Sequence, residues 1–211
     1  MRVQIYTQHY SPEVTAGRYR VEAFAHGFLR RGHEVEVVCP VPNHPFGVVA
    51  EGYRGRSLLR RQVDGVHVAY LRVATSPAKT TRNRVAYYGS YAAAATAYGT
   101  VAARPDLVLA SSPPLPVAAA AAAVAAVRRV PWIFDVRDLW PLAAKLIGEL
   151  TDPRALRWAE RLERALYRRA DRVVTVTRPF AATIAATAGA EKVELIPNLS
   201  LIHISEPTRR S

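Results

Sequence analysis

Trp132-Ile133-Phe134-Asp135-Val136-Arg137-Asp138-Leu139-Trp140-Pro141 is the stretch on which the reading of this chain turns. Its first three residues follow Pro131 as a short apolar run and read as a buried strand that ends at Asp135. Two carboxylates, a guanidinium and an indole come next, so the chain is expected to leave the core there and enter a crevice. In open α/β sheets, ligands bind in the crevice at the carboxyl ends of the strands. A structural alternative exists for Asp138, because Asp is a preferred helix N-cap. Arg137 would then pair with it and Trp140 would pack.

Outward from this stretch, strands and helices alternate. Strands are expected at Val3–Thr7, Glu34–Cys39, Leu107–Ala110, Arg172–Thr177 and Lys192–Ile196. Helices are expected at Gly17–Arg31, Val117–Val127, Pro153–Arg169 and Pro179–Ala188. In the first helix Val21, Phe24, Ala25 and Phe28 share one face, and Gly32 supplies a stop. Asp64-Gly65, between Leu58–Val63 and Val66–Leu71, reads as a tight hairpin turn. This order predicts an α/β class fold: a doubly wound, mostly parallel, Rossmann-like domain with helices on both faces.

Composition narrows the partners. The net charge is +12, and all but three of the 29 basic residues are arginines, which makes a surface that attracts anions. Nucleic acid is not expected as a partner: no binding motif is present, and the basic residues are spread along the chain. The single Cys39 cannot form an internal disulfide and fits a reducing cytoplasm. A strand so near Met1 leaves no room for a signal peptide. Val85 to Ala103 is uncharged but rich in Ala and Tyr, and reads as a buried or membrane-surface helix rather than a crossing one. Arg82 and Arg84 precede Tyr87, Tyr88 and Tyr91 there, as in a headgroup-level anchor; inward-packed tyrosines are the alternative. Arg154, Arg157, Arg161, Arg164 and Arg168 recur at helical spacing among Glu160 and Glu163. They read either as a solvated face with i,i+4 ion pairs or as a basic face for anionic lipid.

No Gly-x-Gly-x-x-Gly follows the first strand, and neither a P-loop nor a metal-ligand cluster is present. Gly17 instead opens a helix, whose free amides can hold a phosphate, with Arg18 and Arg20 as possible reinforcement. His9 leaves the first strand at the sheet edge where Asp135 leaves its own, and His44 stands between Pro42 and Pro45.

Together these residues resemble glycosyltransferase family 4, in particular bacterial enzymes of the O-antigen and colanic-acid type. The resemblance runs from Met1 to Asn198. It rests on His9-Tyr10-Ser11-Pro12-Glu13, Arg31-Gly32-His33-Glu34-Val35, Pro42-Asn43-His44-Pro45, Gly52-Tyr53 and Asp64-Gly65-Val66. It continues in Ser111-Ser112-Pro113-Pro114-Leu115, Arg137-Asp138-Leu139-Trp140-Pro141, Tyr167 to Val174 and Ile196-Pro197-Asn198. The order and spacing of these motifs along one chain are specific.

The resemblance implies one half of a two-domain GT-B architecture, the N-terminal, acceptor-side domain at residues 1–198. The complete enzyme would be a retaining transferase that needs no metal and no cofactor, with a nucleotide-sugar donor as substrate. Its acceptor would be a lipid-linked saccharide, at an anionic membrane surface on the inner face of the cell membrane, in surface-polysaccharide synthesis. Asp138 would be catalytic. His9, Glu13, Arg137 and Trp140 would bind the acceptor or line the cleft, and Gly17 and Arg18 would bind phosphate. The family usually has Gly-Gly where Ala16-Gly17 stands. Leu199 to Ser211 resembles a translated transposase-end sequencing adapter and is expected to be non-native, so His203 and Glu206 are not read as a site. With the donor domain absent, this chain is expected to be inactive alone. Two other readings stay open: a free-standing lipid- or partner-binding module, and a nucleotide-sugar epimerase of the same architecture.

Overall fold

The computed structural model describes residues 1–78, 80–146, 148 and 151–198. The expected non-native tail, Leu199 to Ser211, lies outside them. Eight strands alternate with six α-helices: β1 (Arg2–Tyr6), α1 (Ala16–Leu29), β2 (Glu34–Pro40), β3 (Leu58–Val63), β4 (Val66–Leu71) and α2 (Thr81–Val101). Then come β5 (Leu107–Ser112), α3 (Leu115–Arg128), β6 (Trp132–Val136), α4 (Trp140–Leu146), α5 (Pro153–Arg169), β7 (Arg172–Thr175), α6 (Arg178–Ala188) and β8 (Val193–Leu195).

The strands form one sheet in the order β3-β4-β2-β1-β5-β6-β7-β8, parallel except for the β3–β4 hairpin. This is the doubly wound, Rossmann-like sheet that the alternation implied. Chain order runs outward from β1 to β2 on one side and resumes at β5 on the other, so the switch point lies between β1 and β5. One core sits under α1, with Val21 and Ala25 against Val3, Ile5, Val35 and Val37. The other lies on the opposite face, under α2, α3, α5 and α6. β-Branched side chains fill the strands of both, as pleated surfaces buried on two faces require.

Local signals account for the boundaries. Asp64 and Gly65 both have positive φ (49° and 82°), the geometry of a type I′ hairpin turn. Thr15 caps α1 by accepting from the Arg18 amide at 3.2 Å. Asp152 caps α5 by accepting from the Arg154 and Ala155 amides at 2.7 and 2.9 Å. The uncharged segment forms most of α2, whose Tyr91, Ala95, Tyr98 and Gly99 are buried. Among the described residues no helix is long and apolar enough to cross a membrane.

Two sequence expectations change here. β6 continues through Val136, so Asp135 is a strand residue inside the core and not the first residue of the crevice. A short helix, α4, follows at Trp140, where the sequence carried no helical period long enough to announce one.

Candidate active site

The carboxyl ends of β1, β2, β5 and β6 open onto a cavity of about 650 Å³ above the switch point. Gln8 and His9 reach it from β1, Asn43 and His44 from β2, Pro113 from β5, and Arg137 and Asp138 from β6. Gly17 from α1, Tyr87 and Tyr88 from α2, and Trp140 from α4 complete the wall.

The two acidic residues of the β6 segment have parted. Asp135 is fully buried and receives Arg20 twice on Oδ1, from Nη2 at 2.7 Å and Nε at 3.0 Å. Ser111 donates to its Oδ2 at 2.8 Å. Arg20 also donates from Nη1 to the Ile196 carbonyl at 2.9 Å and to Asn198 Oδ1 at 3.1 Å. This pair ties α1 to β6 and to the chain beyond β8, so Arg20 does not reinforce an anion site. Asp138, in contrast, is exposed and lines the cavity. It stands two residues before α4 and makes no capping hydrogen bond among the described residues, which removes the support for the cap reading.

Arg137 comes from the same strand end but turns toward α1. Its guanidinium covers Gly17: a Cβ at that position would meet Nη1 at 2.5 Å and Cζ at 3.0 Å. Nη2 donates to the Pro113 carbonyl at 3.1 Å, while the buried Nε has no partner among the described residues. Burial lowers its pKa from the ordinary value, against the opposing pull of Asp135 and Asp138. With Asp135 engaged by Arg20, this cation lacks a carboxylate bonded to it, and it sits at the amide end of a helix. Cation and helix start together form an anion-binding geometry.

Arg18 was the cation expected in that place. Its Nε donates to Glu22 at 2.6 Å and its Nη1 to the Glu13 carbonyl at 3.0 Å, and it does not line the cavity. Ala16, where the family usually has a second glycine, is exposed.

Glu13 is likewise placed behind the wall. It is buried, and its Oε1 accepts from the Asn43 and His44 amides at 2.6 and 2.8 Å. Its Oε2 meets His9 Nδ1, and the His9 ring packs edge-on against His44 at 5.0 Å. Burial disfavours the Glu13 charge, but the His9 bond and the two amides outweigh it and hold its pKa below the usual value. Glu13 thus positions His9 and the β2 loop, and His9 faces the cavity.

A depressed carboxylate pKa adds stability above the ordinary pKa, and that stability is lost as pH falls through the folded value. Glu13→Gln is therefore expected to cost about 1–3 kcal/mol near pH 7. The gap from wild type should shrink below about pH 4. Urea unfolding across that range checks it; a gap constant with pH would mean that the charge is immaterial.

Sequence reasoning did not single out Gln8 or Asn43 as site residues. A usable signal existed for Gln8, which stands two residues beyond the end of β1 at the switch point. Among the described residues no cluster of three or more His, Cys, Asp or Glu could hold a metal ion.

A sheet wound both ways from its first strand, with a cavity over the switch point, is a Rossmann-like domain of the kind that forms one half of a GT-B glycosyltransferase fold. The chain belongs to the glycosyl transferase 4-like domain family, whose pattern matches residues 15–199. It is similar in structure to sucrose-phosphate synthase from Thermosynechococcus elongatus, at 13% identity and TM-score 0.54, over 93% of this chain and 47% of that one. It is similar also to HepE from Anabaena in complex with UDP and glucose, at 14% identity and TM-score 0.57, over 99% and 47%. A third is UGT89C1 from Arabidopsis thaliana complexed with UDP, at 13% identity and TM-score 0.57, over 94% and 49%. This chain spans about half the length of each of these three. No curated protein matches it in sequence.

Proposed function

We propose that this domain is the acceptor-side half of a retaining glycosyltransferase that acts in cell-surface polysaccharide synthesis. The donor is a nucleotide-sugar and the acceptor a lipid-linked saccharide. The observation that carries the reading is Arg137, a half-buried cation without a bonded carboxylate, packed on Gly17 at the start of α1. Loss of a nucleoside diphosphate concentrates negative charge on the leaving group, and a preorganised cation with helix amides stabilises it. HepE, which shares the fold, was solved with UDP-glucose and with UDP and glucose. Asp138 lines the same cavity and would position the acceptor hydroxyl, with Trp140 and Tyr88 of the same wall beside the sugar. No metal or cofactor has a part in this scheme.

A site on the inner face of the cell membrane fits two surfaces. Arg154, Arg157, Arg161, Arg164 and Arg168 are exposed along α5, and none joins an ion pair among the described residues. Glu163 faces Tyr167 and the Trp140 amide, so the five arginines outnumber the acidic side chains beside them. Trp158, 65% exposed, stands within this stripe. Beside the cavity, Phe46, Val85 and Leu142 are also exposed, next to the lining residues Pro45, Arg84 and Ala143.

The test is transfer from radiolabelled UDP-sugars to polyprenyl-diphosphate-linked saccharides in anionic vesicles. The enzyme completed by a donor domain is expected to pellet with the vesicles and to place label in the lipid with retained configuration. The 211-residue chain alone is expected to pellet without transferring, because one wall of a cleft cannot orient two substrates. Labelled free sugar as the sole product, or inverted linkage, would contradict the proposal.

A further inference from the structure

Gln8 lines the cavity yet is only 7% exposed. Its Nε2 donates to the Tyr87 hydroxyl at 2.6 Å. The same hydroxyl accepts from Asn43 Nδ2 at 3.1 Å, and that nitrogen also holds the Val41 carbonyl at 2.8 Å. The amide of Gln8 is therefore fixed at one end. At the other end Oε1 is buried and has no hydrogen-bond partner among the described residues. A buried polar atom without a partner is costly and calls for an explanation.

Exchanging the amide oxygen and nitrogen would turn the open atom from an acceptor into a donor, but would supply no partner. One end of the amide is open in either assignment. A hydroxyl both donates and accepts, so it satisfies the open atom in both cases; a carboxylate or phosphate satisfies it in one. The aromatic residues Tyr87, Tyr88, Trp140 and His9 line the same cavity. Hydroxyl groups on a ring with apolar C–H faces are the chemistry of a neutral sugar.

We propose that Gln8 is a specificity-determining residue, reading one hydroxyl of the acceptor sugar through the open end of its amide. This rests on the transferase reading above, in which the cavity holds a saccharide. A site built to bond a hydroxyl rejects the analogue that lacks it, because its own polar group is then left unpaired.

Ligand-observed NMR titration of the 211-residue chain tests this, with methyl hexosides and their monodeoxy analogues as probes. Wild-type protein is expected to prefer one glycoside over one of its deoxy analogues by about fivefold, the weight of a neutral hydrogen bond. Gln8→Met keeps the side chain's length and removes its amide, and should bring that ratio close to one with the fold intact by thermal melting. If Gln8→Met does not fold, Tyr87→Phe decides, since it removes the anchor of the amide and should reduce the ratio. An undiminished ratio in whichever folded variant decides overturns the assignment to Gln8 and leaves the cavity a sugar site. Failure of wild type to bind any of the glycosides overturns the saccharide reading of the cavity, and this assignment with it.

Discussion

Asp135→Ala is expected to destabilise the protein by about 3–5 kcal/mol, the cost of leaving one member of a buried ion pair without the other. The side chains of Arg20 and Asp135 are 7% and 0% exposed, so solvent cannot take the place of the lost carboxylate. Three bonds from Arg20 and one from Ser111 end on that carboxylate. Arg20 would retain its contacts to the Ile196 carbonyl and Asn198, which accept hydrogen bonds but carry no full charge. Against a typical total of about 5–15 kcal/mol, this is a large share of the stability. The double replacement Arg20→Met with Asp135→Leu should recover most of the loss, since no charge then remains buried. Urea midpoints of the two single variants and the double variant check this. An Asp135→Ala protein within about 1 kcal/mol of wild type would mean that water reaches Arg20.

Arg137→Met, in the enzyme completed by its donor domain, is expected to lower turnover by about 10²–10³-fold, the usual effect of deleting one preorganised stabiliser of a developing charge. Gly17→Ala should do much the same from the other side of the contact. Its new methyl would lie 2.5 Å from Arg137 Nη1 and 3.1 Å from Nη2, so the guanidinium must leave the start of α1. The two changes act on one feature, so their effects should fall well short of additive when combined. Arg18→Gln is the informative control, because Arg18 is held by Glu22 and the Glu13 carbonyl. It should change turnover little. A larger loss from Arg18→Gln than from Arg137→Met would return the anion to Arg18.

The arginines show where one-dimensional reading stops. Arg18 and Arg20 are two residues apart on a helix, where each step turns about 100°, so they point in nearly opposite directions. The sequence can say that they differ; only the packing of α1 over β6 says that Arg20 goes inward. Asp135 and Arg137 are two apart on a strand and its exit, so both face α1. There Asp135 meets Arg20 and Arg137 meets Gly17, partners more than a hundred residues away along the chain.

Periodicity, turn chemistry and caps act over a few residues, and these the sequence determined by itself. Strand-helix alternation led to the doubly wound sheet, Asp64-Gly65 to the hairpin, and Pro153 to Arg169 to α5 with both its ends. Asp138, Arg137, His9, Trp140 and Gly17, picked out from the chain alone, all line the cavity. Tertiary structure alone decided that Glu13 braces the β2 loop behind His9, that Asp135 is sealed in the core, and that Gln8 keeps an open amide. The physical reason is common to all three. A polar side chain's role depends on which partner reaches it first, and here most of those partners are brought in by other elements of the fold.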